Sequence, residues 1–403
     1  MNGPLRQVRD FFVSLTLSVV LLVLGLILVF VATLDQVNLG IWAVQEKYFR
    51  SFIIWWRAGN VSLPVFPGGY LVGGLLLLNL VAAHVYRFKF TWRKAGLQLT
   101  HAGLILLLLG ELFTGLFQDD YSMRLTQGEP RNYSESFREN ELAIIDTSDA
   151  QYDQVVAIPE AVVARKSAIQ HPHLPFRVVV REYAPNSHVS NRPADAKTAP
   201  PAPGFATRPT KGIGLNVDLL PLPITYRHDE RNLPGAVIEL VAGEGSLGTW
   251  IVSADPRMPP QRFEHGGRTY TLGLRYARAY KHFTLTLLKF SHDRYSGTEI
   301  PKNFSSRIKL NTADGRDDRE VLIYMNNPLR YAGFTFYQAS FEPGNDKVTI
   351  LQVVRNPSWL IPYIACSVMS LGLIWQFCLH LFAFIAKRRA APSAAAANSA
   401  FQP

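Results

Sequence analysis

The chain has 403 residues, 48% of them hydrophobic and 12% aromatic, with a formal net charge of +10. That is too apolar for an average soluble protein and too charged for one made only of membrane spans, so a few spans joined to a sizeable soluble domain are expected. Much of the basic charge flanks apolar runs (Arg6 and Arg9, Arg87 to Lys94, Lys387 to Arg389), which marks membrane orientation and excludes a nucleic-acid partner.

In chain order, Phe11 to Leu34 is the first predicted span (11–34). Its apolar core exceeds the roughly 7–15 residues of a signal-peptide core, and no small-x-small cleavage site follows it. It reads as an uncleaved helix entering from a cytoplasmic N-terminus. Residues 35–68 then form an external connector. Within it, QEKYFRSFIIWWRAG mixes aromatics with charges, as an amphipathic helix on the outer membrane surface does, or equally a folded connector. Pro64 and Pro67-Gly68-Gly69 end it.

The stretch from Gly69 to Phe117 is a membrane hairpin of two spans (69–88 and 96–117), joined by a basic link that carries Arg87, Lys89, Arg93 and Lys94. Each arm is about 20 residues long, enough to cross a hydrocarbon core of about 30 Å, and the link is placed in the cytoplasm. His84 lies about one turn from the link and His101 about two turns beyond it. Ionisable groups at such depth are expensive and are functional candidates by default. Two readings stand for the pair: neutral imidazoles that hydrogen-bond helices together, or metal ligands. Glu111 lies further along the same arm, where a carboxyl is neutral, paired across helices, or faces a polar cavity. Gly96, Gly103 and Gly110 share one helical face, which permits either close helix approach or room for a planar ligand.

Residues 118–359 are expected outside the cytoplasm. Runs such as FRVVVREYA, AVIELVAG, GTWIVSA, RTYTLGLRYAR, FTLTLLKF and KVTILQVV predict an antiparallel β-rich domain, sandwich or barrel, between the third and fourth helices. A Pro/Ala-rich loop over 191–212 is expected to be mobile and to split it into two lobes. No catalytic signature appears in the domain: no GxSxG, HExxH, phosphate loop or CxxC. His171 and His173, in an HPH turn, and the scattered His188, His228, His265, His282 and His292 read as solvated or core histidines.

The fourth span is 360–386, followed by a cytoplasmic, low-complexity and disordered tail, 387–403. Cys366 and Cys378 both fall within this span, about 18 Å apart along one helix, and cannot pair there. His380 lies about two turns before Lys387 and is expected at the depth of His84 and His101. The fold class is therefore an α+β membrane protein with four transmembrane helices. Two neutral imidazoles from facing helices, walled by Leu, Ala and Gly, suit the two axial positions of a haem better than a zinc ion, which adds thiolate or carboxylate ligands.

The hairpin NLVAAHVYRFKFTWRKAGLQLTHAGLILLLLGELFTG resembles the ResB-type cytochrome c biogenesis proteins of System II. So do FTLTLLKFSHDRYSGTEIPKNFSSRIKL and MNNPLRYAGFTFYQASF, together with the order of three spans, a large domain and a final span. The resemblance implies a haem-handling subunit of the bacterial cytoplasmic membrane. It implies work with a ResC/CcsA-type membrane partner, which together with it attaches haem to apocytochrome c. It also implies haem b, held in transit, as cofactor. His84 is the position that matches the family's haem-holding histidine, while His101 rests on hairpin geometry and His380 is a reserve ligand. Trp55-Trp56 is followed by Arg57 and forms no WxWD pattern, so the partner's haem motif is absent and the chain reads as the ResB half alone, without catalytic residues of its own. The rival reading is a membrane-anchored scaffold whose histidines only pack helices.

Overall fold

The computed structural model describes residues 3–58, 61–87, 91–192, 205–225, 231–243, 245–294, 301–342 and 344–399. The helices are α1 (Gly3–Phe12), α2 (Leu15–Val44), α3 (Gly69–Arg87), α4 (Ala95–Phe117), the single turn α5 (Glu160–Val163) and α6 (Ile361–Ser399). The chain divides into a unit that holds α1 to α4 and α6, within Met1–Gln118 and Asn356–Pro403, and a unit of strands within Asp119–Thr225 and Asp229–Arg355.

In the helical unit four helices are long and apolar enough to cross a membrane: Leu15–Ile41, Gly69–Arg87, Trp92–Phe117 and Ile361–Arg388. Two expectations change here. Helix α2 does not stop at Leu34 but continues to Val44, bending only at Gly40, whose φ of 72° is a left-handed value that glycine tolerates. Asp35 thus opens no loop; its carboxylate accepts hydrogen bonds from Lys47 Nζ (2.7 Å) and Tyr48 Oη (2.8 Å). Of the two readings of the connector the folded one holds and the amphipathic helix does not: one helical turn, Gln45–Phe49, is followed by a hairpin of β1 (Ile53–Ala58) and β2 (Val61–Pro67). β-Branched and aromatic side chains in Ile53-Ile54-Trp55-Trp56 favour the extended chain over a helix, and the register slips beside Pro64, which has no N–H for the ladder. At the other terminus the backbone of the tail is helical to Ser399 rather than disordered from Lys387, since alanine is the strongest helix former.

The β unit is antiparallel. Among the described residues its largest sheet joins β3 (Asp119–Thr126), β4 (Pro130–Asp146), β5 (Gln154–Pro159), β12 (Gln261–His265), β13 (Arg268–Arg294), β14 (Pro301–Thr312), β15 (Asp318–Tyr324), β16 (Leu329–Tyr331), β17 (Phe334–Glu342) and β18 (Asn345–Arg355). A smaller sheet runs β11 (Gly245–Ser253), β10 (Gly235–Ala242), β7 (Arg177–Ala184), β6 (Ala168–Ile169), and β8 (Ser187–Asn191) pairs with β9 (Val217–Pro221).

Two large apolar cores result, beside a smaller cluster of Val189, Val217, Leu219, Val237 and Ile251 where β8 and β9 meet the small sheet. In one, Leu142, Ile144, Ile158 and Leu272 of the large sheet meet Val178, Ile238, Leu240 and Val252 of the small one, a sandwich. In the other, Leu125, Leu285, Leu287, Ile308, Ile323, Phe336 and Leu351 all come from the large sheet, which curls so that strands from both its ends share one core. The lobes are therefore not divided by the Pro/Ala-rich stretch, of which 193–204 lies outside the described residues. They are joined by β13, whose Leu272 and Leu274 fill the first core and whose Leu285, Leu287 and Phe290 fill the second. RTYTLGLRYAR and FTLTLLKF, read as separate runs, are one strand because no Gly, Pro or Asn separates them.

Candidate functional site

The faces of α4 are set by glycine. A Cβ built on Gly96 would lie 2.6 Å from the carbonyl oxygen of Gly372, and one on Gly103 would lie 2.8 Å from that of Ala365, so α4 and α6 cross backbone to backbone. The glycine stripe serves close helix packing, and no planar ligand fits along it. Trp375 Nε1 donates to Trp92 O (3.0 Å) at the foot of the crossing.

The face of α3 toward α1 and α2 is set by Asn79, which is 2% exposed. Its Oδ1 accepts from Ser18 Oγ (2.5 Å), and its Nδ2 donates to the carbonyls of Phe12 (2.7 Å) and Ser14 (3.0 Å). Both carbonyls lie at the break between α1 and α2: that of Phe12 stands at a helix end, and that of Ser14 also accepts from Ser18 N (3.4 Å). Sequence reasoning missed this clamp, although an amide within an apolar run was the available signal.

His84 follows Asn79 by five residues and His101 follows Gly96 by five, so each ring stands about 140° round its helix from the packed face. His84 thus points away from α2 and His101 away from α6, each on a half-buried face of the hairpin helices. The Nδ1 of His101 lies 2.8 Å from the carbonyl oxygen of Leu97. A carbonyl only accepts, so Nδ1 carries a proton, and it is Nε2 that a metal would take as ligand.

His380 is corrected in depth and in face. It extends the α4-facing row of α6, one turn past Gln376, and Gln376 packs on Gly96. With Gly103 against Ala365 and Met369, the antiparallel register places His380 about 16 Å along the axis from His101, on the opposite side of α4. Its Nε2 already accepts from Gln376 Nε2 (2.9 Å). Glu111 is exposed on α4, and Cys366 and Cys378 are free thiols on α6.

In the β unit the His171 and His173 rings lie 5.4 Å apart, and His173 N donates to His171 Nδ1 (3.3 Å), a closed turn. His173 and His265 line one recess of about 430 Å³. His188 contacts Arg257 (3.2 Å), and His292 stacks on Phe290 and Phe341. His228 lies outside the described residues. Among the described residues no three His, Cys, Asp or Glu side chains gather as metal ligands.

The architecture is that of a chain with four bilayer-length apolar helices and a large antiparallel β unit, most of it after the third of these helices. Residues 244–350, from β11 into β18, match the ResB-like family. Protein NrfI of Wolinella succinogenes is 33% identical over 94 residues, which is 23% of this chain and 10% of the relative. The chain thus spans about a tenth of the length of the curated relative it matches. Among solved structures, the cytochrome c heme lyase CcmF is 10% identical over 76% of this chain and 30% of its own, with a TM-score of 0.22, too loose a likeness to carry an argument. The family match and the relative thus show that part of the β unit is similar to ResB-type proteins. The hairpin histidines lie outside the matched stretch.

Proposed function

We propose that the chain is a haem-handling subunit of cytochrome c maturation, in which His84 and His101 ligate one haem iron from adjacent helices. The observation that carries the reading is the His101 ring, whose Nδ1 is held by Leu97 O on the face of α4 turned from α6. His84 stands on the corresponding face of α3, turned from Asn79 and α2. Bound haem b supplies an iron with two axial positions and a broad apolar macrocycle. The hairpin supplies two imidazoles, apolar walls of Leu and Ala, and helices anchored on their far sides by Asn79 and Gly96. His380 is not a ligand in this reading, because Gln376 occupies its Nε2 and α4 stands between it and His101.

Orientation follows from charge. Arg6, Arg9, Arg93, Lys94 and Lys387 face the cytoplasm of a bacterial inner membrane, with the β unit on the outer side, where it presents apocytochrome c beside a ResC/CcsA-type membrane partner. The test uses the purified full chain. Wild type should show a Soret band that His84→Ala and His101→Ala each reduce severalfold and that added imidazole partly restores, while His380→Ala keeps it. A reporter fused at Lys94 should read cytoplasmic. A variant lacking both His84 and His101 that kept the full band and normal maturation would rule out the site. A wild type without any Soret band would favour the scaffold reading.

A further inference from the structure

The ladder between β4 and β13 opens at one place. Glu135 pairs with Arg278 and Asn140 with Tyr276, so four residues of β4, Ser136 to Glu139, stand opposite Ala277 alone. Ser136 Oγ fixes the bulge by accepting the N–H groups of Arg138 (3.2 Å) and Glu139 (3.1 Å). Bulges of this kind re-aim side chains and recur beside binding sites. Here the bulge borders a recess of about 410 Å³ in which Asn140 and Glu160 face small apolar groups, among them Ala157, Ala161 and Ala277.

The chemistry of the recess is one-sided. Among the described residues the Glu160 carboxylate has two hydrogen-bond partners, both neutral: Tyr183 Oη donates to Oε1, and Asn140 Nδ2 donates to Oε2 (2.7 Å). Burial and that same hydrogen bond hold the Tyr183 phenol far above its usual range, so it stays a donor. Its neighbour Glu141, by contrast, is paired with Arg275 at 2.9 Å. Asn140 is 6% exposed, and with its amide spent on Glu160 its carbonyl Oδ1 has no hydrogen-bond partner. A buried acceptor left in that state is costly, and a half-buried carboxylate without a counter-ion more so. Glu139 adds a second negative charge to the lining and Arg138 one positive charge, leaving an excess of acceptors.

We propose that this recess binds a primary alkylammonium group on an aliphatic stem. The ammonium donates to Glu160, and the methylenes lie along the alanines, whose short side chains leave the space. A lysine side chain of a partner polypeptide and a free alkyl diamine share this chemistry.

The test follows the fluorescence anisotropy of dansylcadaverine added to the full chain in detergent. Saturable binding is expected, weakened roughly tenfold or more by Glu160→Gln, which removes the charge and keeps the shape. Ala161→Met, at an exposed position, should block the recess to a similar extent without touching the core, so the test survives if Glu160→Gln fails to fold. N-acetylated probe, which has no ammonium, should bind at least tenfold more weakly. Stronger displacement by an acetylated Gly-Ser-Lys-Ser-Gly amide than by cadaverine identifies a polypeptide lysine as the source; the reverse identifies a small amine. Equal binding of the acetylated probe, unchanged binding in both variants, or displacement by neither competitor overturns the proposal.

Discussion

The helical unit and the β unit hold themselves together by opposite means. In the β unit Leu142, Ile144, Leu272, Leu285, Leu287 and Phe336 are wholly buried, in two cores that need no other solvent than themselves. In the helical unit Leu26, Phe30, Leu371 and Phe377 are more than 60% exposed, and the helices meet instead through glycine backbones and one amide. Water would not tolerate so much outward apolar surface, whereas hydrocarbon would, and in hydrocarbon apolar burial between helices gains nothing. The difference teaches that each unit has few but different points of failure.

The largest effect should come at the α4–α6 crossing. Gly96→Leu drives a side chain into the Gly372 carbonyl, a backbone atom that cannot swing aside. The expected cost is about 3 kcal/mol or more, seen as loss of folded protein in a thermal stability assay of the full chain in detergent. The same substitution at Gly73, which meets nothing within 4 Å, should be mild. Equal stability of the two variants would show that the crossing does not hold the unit.

The clamp at Asn79 comes next. Asn79→Ala strands the Phe12 carbonyl and leaves the Ser18 hydroxyl and the Ser14 carbonyl only their longer bonds to each other (3.4 Å), for an expected loss of roughly 1–3 kcal/mol. Asn79→Asp should be worse than Asn79→Gln, because a carboxylate cannot donate to the carbonyls of Phe12 and Ser14. Thermal stability of full-length protein in lipid nanodiscs reads both, and a neutral Asn79→Ala would mean that other groups satisfy those carbonyls.

Much of this architecture was legible in the sequence, because runs such as the one from Leu15 onward are too long and apolar for anything but a bilayer-length helix. The strand runs were legible from alternation. What was not legible depended on partners far away in the chain. Ile53 to Trp56 mixes aromatics with charges, a pattern with no clear period over so few residues, and only pairing with Val61–Pro67 decides for strand. The depth of His380 was counted from a charge cluster, yet the stripe of Ala365, Met369 and Gly372 against glycines of α4 sets it. The acceptor excess at Glu160 needs Tyr183 and Asn140, residues that no local spacing joins.

The smallest expected effect lies at the joint between the two β cores. Lys281 is 6% exposed at the turn of β13 from one core to the other. Its Nζ donates to Ser134 Oγ (2.7 Å) and Ala279 O (3.3 Å) and stands 4.3 Å from the centre of the Phe334 ring, with no carboxylate among these partners. Burial pulls the ammonium down to about 8 from its usual 10.5. A group whose folded value is lowered in this way binds its proton more weakly in the folded chain than in the unfolded one. Below pH 8 both states carry the proton and the folded state bears the full cost; between about 8 and 10.5 only the unfolded chain is protonated, so stability rises with pH. Lys281→Met, which keeps the ring contacts and removes the charge, should therefore stabilise the β unit at pH 7 by roughly 1–2 kcal/mol, less than the whole shift because water screens part of the charge. The gain should shrink toward zero by about pH 10.5, as wild type sheds the same cost. Urea titration of the full chain, followed by amide exchange within β13 at pH 7 and pH 10, measures both values. A gain that did not change between the two would show that Lys281 acts through packing and not through its charge.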